Sequence, residues 1–131
     1  MWKSKLIAEI CLSTMESEYI SLSKVCKDLL PIQRVVTEVG VALGLEKGAV
    51  TNIRSTIWED NQAALKLANK ELPYMTNRSK HIAIKYHWFR SHVGVDWIVI
   101  PISTSDQIAD IFTKGLPRDT FQKLRFLLMG W

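Results

Sequence analysis

The sequence predicts an α/β layered domain, because short apolar strand patterns alternate with amphipathic helical patterns and two capping boxes mark helix starts. The order is strand, helices, strand, helices, strand, helices, and strands separated by helices usually pair in parallel under a helical layer. The 131 residues, 47% hydrophobic and 23% charged, fit a single domain spanning 1–131 with a modest core.

The first strand is predicted over 6–12, where Leu6, Ala8, Ile10 and Leu12 alternate with Ile7, Glu9 and Cys11, a strand pattern with one face more apolar. Ser13-Thr14-Met15-Glu16 is a capping box, so a helix starts there. It is expected to run to about Leu29 and to kink or break at Pro31. Ile32, Val35, Val36, Val39 and Leu43 then mark a second apolar stripe ending near Gly44. A second strand is predicted over 54–58, and Asp60 or Asn61 caps a short helix through Ala68. Ser79 is expected to cap another helix, with the stripe Ile82, Tyr86, Phe89 and Val93. A third strand follows over 97–102. Thr104-Ser105-Asp106-Gln107 is the second capping box, opening a helix to Lys114 with Gly115 as its stop, and Pro117 starts a last helix holding Phe121, Leu124 and Leu128.

The longest apolar runs fall far short of the roughly 20 residues a membrane span needs, and Met1-Trp2-Lys3-Ser4-Lys5 opens no secretory pattern. The expected setting is intracellular, cytoplasmic or nuclear, with no membrane partner and no secretion. Cys11 and Cys26 have no metal-site spacing and are expected to be reduced core residues. With 17 Lys and Arg against 13 Asp and Glu, the net charge of +4 suits a polyanionic partner without requiring one.

Three acids stand where chemistry is usually placed. On a helix turning about 100° per residue, Glu18 falls within an apolar arc of about 120° formed by Met15, Tyr19, Leu22, Val25, Cys26 and Leu29, whereas Glu16 lies on the polar side. A carboxylate on a buried stripe needs a partner, either a salt bridge or a cation. Asp60 sits at the carboxyl end of the second strand, where α/β sheets usually bind ligands, and can equally be a plain helix cap. Asp110 follows the third strand and can equally be a solvated acid at a helix start. Together, Glu18, Asp60 and Asp110 are of the type that binds hard divalent cations.

Four segments carry a family resemblance. Ser13-Thr14-Met15-Glu16-Ser17-Glu18-Tyr19-Ile20-Ser21-Leu22-Ser23 resembles the STxEAEYxALS segment of copia-type retrotransposon Pol polyproteins, and Trp58-Glu59-Asp60-Asn61-Gln62-Ala63-Ala64 resembles their xxDNQxA segment. Asn77-Arg78-Ser79-Lys80-His81-Ile82 with Tyr86-His87 resembles RTKHIDxxYHFxR. The stretch Thr104-Ser105-Asp106-Gln107-Ile108-Ala109-Asp110-Ile111-Phe112-Thr113-Lys114 resembles TxxQxADxFTK. The four occur in the family's order and cover nearly the whole chain.

The resemblance implies a ribonuclease H-like domain that cleaves the RNA strand of an RNA/DNA hybrid with two Mg²⁺ ions during reverse transcription. It implies Glu18 and Asp60 on the metal nearer the leaving group and Asp110 on the metal that activates water. It also implies a contact with the reverse transcriptase domain of the same polyprotein. The family fold has five strands, and the first catalytic Asp lies on a strand upstream of the segment matched by Trp2-Lys3-Ser4-Lys5. The expectation is therefore an N-terminally truncated domain of about three strands, with the first two family strands missing from the middle of the sheet. Such a fragment is expected to be inactive alone and to associate with itself through exposed sheet edges. The alternative is a non-catalytic remnant that binds nucleic acid or serves as a scaffold.

His81 adjoins a capped helix start, which disfavours a protonated imidazole, so a neutral structural role is expected. Lys80, Lys85 and Arg90 form a helically spaced basic series read as a solvated face rather than a phosphate-contacting ridge. Trp2, Trp58, Trp88, Trp97 and Trp131 show no interleaved basic and aromatic pattern, and core packing is the expected use of most of them.

Overall fold

Ser13 opens the longest element. In the computed structural model, which describes residues 7, 10–45, 48, 53–70, 82 and 84–131, its backbone is extended and its hydroxyl accepts the Glu16 N–H. The Glu16 carboxylate reaches one residue further back than the capping box predicts, to the Leu12 N–H at 2.8 Å, and is buried there. Helix α1 then runs Thr14–Ala42, through Pro31. Of the kink or break expected there, the break does not occur. Pro31 and Lys27, whose carbonyl loses its donor, are both exposed, so the helix loses a bond without burying an unsatisfied group. The stripe predicted beyond Pro31 is also not part of the core: Ile32, Val35, Val36, Val39 and Leu43 are all exposed. The helix ends where Gly44 takes a left-handed backbone, φ +85°.

Strand β1 (Ser55–Glu59) pairs in parallel with β2 (Trp97–Pro101), in a register that sets Ser55 opposite Trp97 and Glu59 opposite Pro101. The described residues hold these two strands where the sequence predicts three. The predicted strand over 6–12 lies largely outside the described residues, and Ile10, Cys11 and Leu12 are not in strand. Ile7 and Cys11 pack against the core while Ile10 and Leu12 are exposed. Between β1 and β2, helix α2 (Gln62–Ala68) is capped by Asn61, whose side-chain oxygen accepts the N–H groups of Ala63 and Ala64.

Two segments predicted as α-helices are 3-10 turns. Over the described part of the first, Ile84–Tyr86 and Trp88–His92 form short 3-10 helices; Ser79, the expected cap, lies outside the described residues. Ile82, Tyr86 and Phe89 are buried and Val93 packs against the core, so the predicted stripe faces inward even though the helix type differs. Here Arg90 turns inward, its Nε and Nη2 donating to the Lys70 carbonyl at 2.8 and 2.6 Å. It is buried, which removes it from the solvated face expected of the Lys85 and Arg90 series; Lys80 lies outside the described residues. In the second segment, the Ser103 hydroxyl accepts the Ser105 N–H and the Ser103 carbonyl accepts that of Asp106. These local bonds compete with a helix start, and only the 3-10 helix Ile108–Phe112 forms.

Pro117 precedes the last helix, α3 (Arg118–Met129), which stops at Gly130 with φ +79°. Of its three predicted apolar positions only Leu124 is buried. An ion pair between Lys123 and Asp106 ties α3 to the loop after β2.

The core gathers Tyr19, Leu22 and Cys26 from α1, Ala64, Leu67 and Ala68 from α2, Phe89 from the 3-10 segment, and Trp97 and Val99 from β2. Trp97 is fully buried with the His92 ring stacked at 5.1 Å. Trp58 and Trp131 are exposed, against the expectation that core packing accounts for most tryptophans; Trp2 lies outside the described residues. The fold is mixed helix and strand around a small parallel sheet, compatible with the α/β class. Cys26 is buried, Cys11 is half-buried, and no disulfide joins them. No helix among the described residues is long and apolar enough to cross a membrane.

Because Pro31 interrupts the hydrogen-bond ladder of a 29-residue helix on its exposed side, Pro31→Ala is expected to raise the unfolding free energy by about 1–3 kcal/mol. Urea denaturation reads the change. An unchanged or lower midpoint would show that the proline's rigidity in the unfolded chain outweighs the missing bond.

Candidate active site

Asp60 is the first residue after β1, and the parallel pairing fixes what stands beside it. The ladder continues past the strand, with the Ile102 N–H donating to the Glu59 carbonyl at 3.2 Å. Gln107 Nε2 donates to the Trp58 carbonyl at 3.4 Å, which holds the start of the Ile108–Phe112 turn across the end of β1. Asp110 sits in that turn. Glu18 comes from the second turn of α1. The three acids, from three separate elements, open on one cavity of about 590 Å³, also lined by Val25, Trp58, Glu59, Gln107 and Lys114.

Each predicted acid is therefore at the same site, though not always as expected. Asn61 takes the cap of α2, so Asp60 is released from that duty. Glu18 is exposed rather than buried in an apolar stripe, because that side of α1 borders the cavity and Val25 beside it is exposed too. Loss of water around its carboxyl nevertheless raises the Glu18 pKa. The negative charge of Asp60 raises it further, the Lys114 ammonium opposes the shift, and Asp110 adds to it. Asp110 is buried, and its two oxygens lie 2.8 and 2.9 Å from Lys114 Nζ.

Two residues of the site were not singled out by the sequence reading. Glu59 is buried, its Oε1 accepting the Asn61 N–H at 2.9 Å, and burial pushes its pKa up to about 7, with Glu18 and Asp60 adding to the shift. Strand alternation carried the signal: Glu59 lies on the same face as Ser55 and Ile57. In the sequence, Lys114 marks only the end of a helix. Its ammonium is held protonated by the hydrogen bond to Asp110, and the charges of Asp110, Asp60 and Glu18 act in the same direction.

The histidines do not join this site. His87 is buried, accepts the Tyr19 hydroxyl on Nδ1 at 2.8 Å, and is kept neutral by burial and then by the Arg90 charge. His92 pairs with Asp96 at 2.6 Å at the opposite end of the sheet, where β2 begins. His81 lies outside the described residues.

The donor chemistry fits a hard divalent cation: three carboxylates from different elements share a cavity and repel one another, a cost a dication relieves. Among the described residues, however, no three His, Cys, Asp or Glu groups converge into a ready metal cage. Fold and site thus give a mixed helix-and-strand fold, compatible with the α/β class, with an acidic cavity at the carboxyl ends of its two parallel strands.

Comparison with known proteins supplies relatives. The chain is 33% identical over 128 residues, 97% of its length, to the retrovirus-related Pol polyprotein from transposon TNT 1-94 of Nicotiana tabacum. It is 34% identical over 122 residues to those from transposons RE1 and RE2 of Arabidopsis thaliana. It spans 9% of the first and 8% of each of the others. The homologues are thus retrovirus-related Pol polyproteins of plant transposons, and the chain corresponds to a short stretch of them. No family model matches, and no solved structure matches.

Burial sets the pH response of Glu59. Its folded pKa lies above the ordinary 4.5, so its proton stabilises the fold fully below about 4.5, and that contribution is lost as pH rises through about 7. Glu59→Gln keeps the acceptor for the Asn61 N–H and removes the buried charge. The variant is expected to gain about 2–4 kcal/mol on the wild type between about pH 4 and about pH 8. A pH-independent difference in melting between the two proteins would contradict the assignment.

Proposed function

We propose that this chain is part of the ribonuclease H domain of a copia-type retrotransposon Pol polyprotein. Its substrate is the RNA strand of an RNA/DNA hybrid, its cofactor is Mg²⁺, and it works beside the reverse transcriptase domain of the same polyprotein. One observation carries the reading: Glu18, Asp60 and Asp110, each inside a segment resembling the family, line one cavity at the carboxyl end of a parallel strand pair.

Glu18, Asp60 and Asp110 would hold the metal. When bound, a pair of Mg²⁺ ions supplies an activated water and stabilises the leaving oxygen of the phosphodiester. The chain's own residues prepare for this. Asn61 capping leaves Asp60 available, the Gln107 bond keeps Asp110 over the strand end, and α1 presents Glu18 from the side. The net charge of +4 suits a phosphate backbone. In this reading the fourth carboxylate comes from a strand upstream of the segment matched by Trp2-Lys3-Ser4-Lys5.

A second reading, hybrid binding or scaffolding without cleavage, has one observation in its favour: the described acids do not close into a three-group cage. Cleavage of a labelled RNA/DNA hybrid in Mg²⁺ separates the two. We expect cleavage from a protein extended upstream to include the family's first strand, background from the 131-residue chain alone, and loss of activity in the extended Asp60→Asn variant. Activity that survives Asp60→Asn would contradict the assignment. Binding without cleavage in the extended protein, with affinity falling steeply as salt rises, would establish the second reading instead.

A further inference from the structure

The Lys114 side chain is not a common helix-surface partner of Asp110. The 3-10 helix that holds Asp110 ends at Phe112, so Lys114 lies beyond it, yet its Nζ covers both oxygens of the buried carboxylate at 2.8 and 2.9 Å. The backbone reinforces the placement, the Lys114 N–H donating to the Asp110 carbonyl at 3.0 Å. Lys114 also lines the cavity onto which Asp60, after β1, and Glu18, on α1, open, so its charge acts on both. A single cation thus serves acids from three elements.

We propose, on the basis of the metal-site reading above, that Lys114 is the built-in counter-cation of this cavity, its ammonium competing with a divalent ion for the Asp110 carboxylate. Both cations seek the same oxygens, and Mg²⁺ needs a closer approach, about 2.0–2.1 Å, than an ammonium hydrogen-bonded to both allows. Lys114 therefore leaves when the ion binds. Its side chain is 49% exposed, on a flexible stem with open solvent beside it, so the departure is cheap. Lys114 is in this sense a positioning residue. It keeps the acids compatible with one another in the metal-free chain and sets how strongly a divalent ion must bind to displace it.

The test is Mn²⁺ binding to the full chain, followed through the electron paramagnetic resonance signal of the free ion, which reads the site without any turnover. Lys114→Met removes the competitor and is expected to tighten Mn²⁺ binding roughly five- to tenfold, with a gain that shrinks at high salt. Lys114→Arg restores the charge and is expected to stay within about twofold of the wild type, which a purely structural role for the side chain would not require. Asp110→Asn is expected to weaken binding in either background. Equal or weaker binding by Lys114→Met, with the wild type still binding Mn²⁺, overturns the role of Lys114 and leaves the metal site standing. No binding by any of the proteins overturns the metal-site reading and this inference with it.

Discussion

The parallel pairing of β1 with β2, in one register, is the constraint on which the site depends. Setting Glu59 opposite Pro101 places Asp60 and the chain leaving β2 at the same end of the sheet. The Ile102 and Gln107 bonds to β1 carbonyls then bring Asp110 across that end. A shift of one residue would exchange the faces of β1, turning Trp58 inward and Glu59 out to solvent. The core specifies against this slip, because Ile57 of β1 packs against the buried cluster that holds Trp97 and Val99 of β2. Helix α1 is held to the same assembly through Tyr19, Leu22 and Cys26, and Glu18 follows from where those three residues pack.

Bringing acids together in this way works against folding. Glu18, Glu59, Asp60 and Asp110 line a shared cavity, and the raised pKa values of Glu18 and Glu59 record the loss of water and the mutual repulsion. Lys114 offsets part of the cost at Asp110, and backbone N–H donation from Asn61 offsets part at Glu59. A domain built only for stability gains nothing from such a cluster, since isolated carboxylates on the surface would be better solvated. The proposed cation site would account for the arrangement, because a bound dication relieves the repulsion among the acids.

Much of this was legible in the sequence where local chemistry decides. Ser13 and Glu16 cap α1, Pro117 precedes α3, and β1 and β2 lie within a residue of their apolar runs. The three acids were legible because each stands just after a strand or inside a helix stripe. Where tertiary contacts decide, the sequence misleads. Arg90 reads as a surface cation because nothing in the chain announces that the Lys70 carbonyl waits for it. Thr104 to Gln107 has the letters of a capping box, but Ser103 captures the same turn first. Pro31 reads as a kink or break because a pattern does not say which face is exposed. Lys114 and Glu59 escaped notice because their roles arise only when three elements meet.

Electrostatic coupling among acids from separate elements is the central claim, and Glu18 reports it most directly. Carbon-13 NMR titration of the Glu18 side-chain carboxyl, in the wild type and in Asp60→Asn, measures it. Titration above the ordinary glutamate range is expected in the wild type, with a shift downward once Asp60 loses its charge. An ordinary titration in the wild type, or one indifferent to Asp60→Asn, would mean that the acids do not share a site.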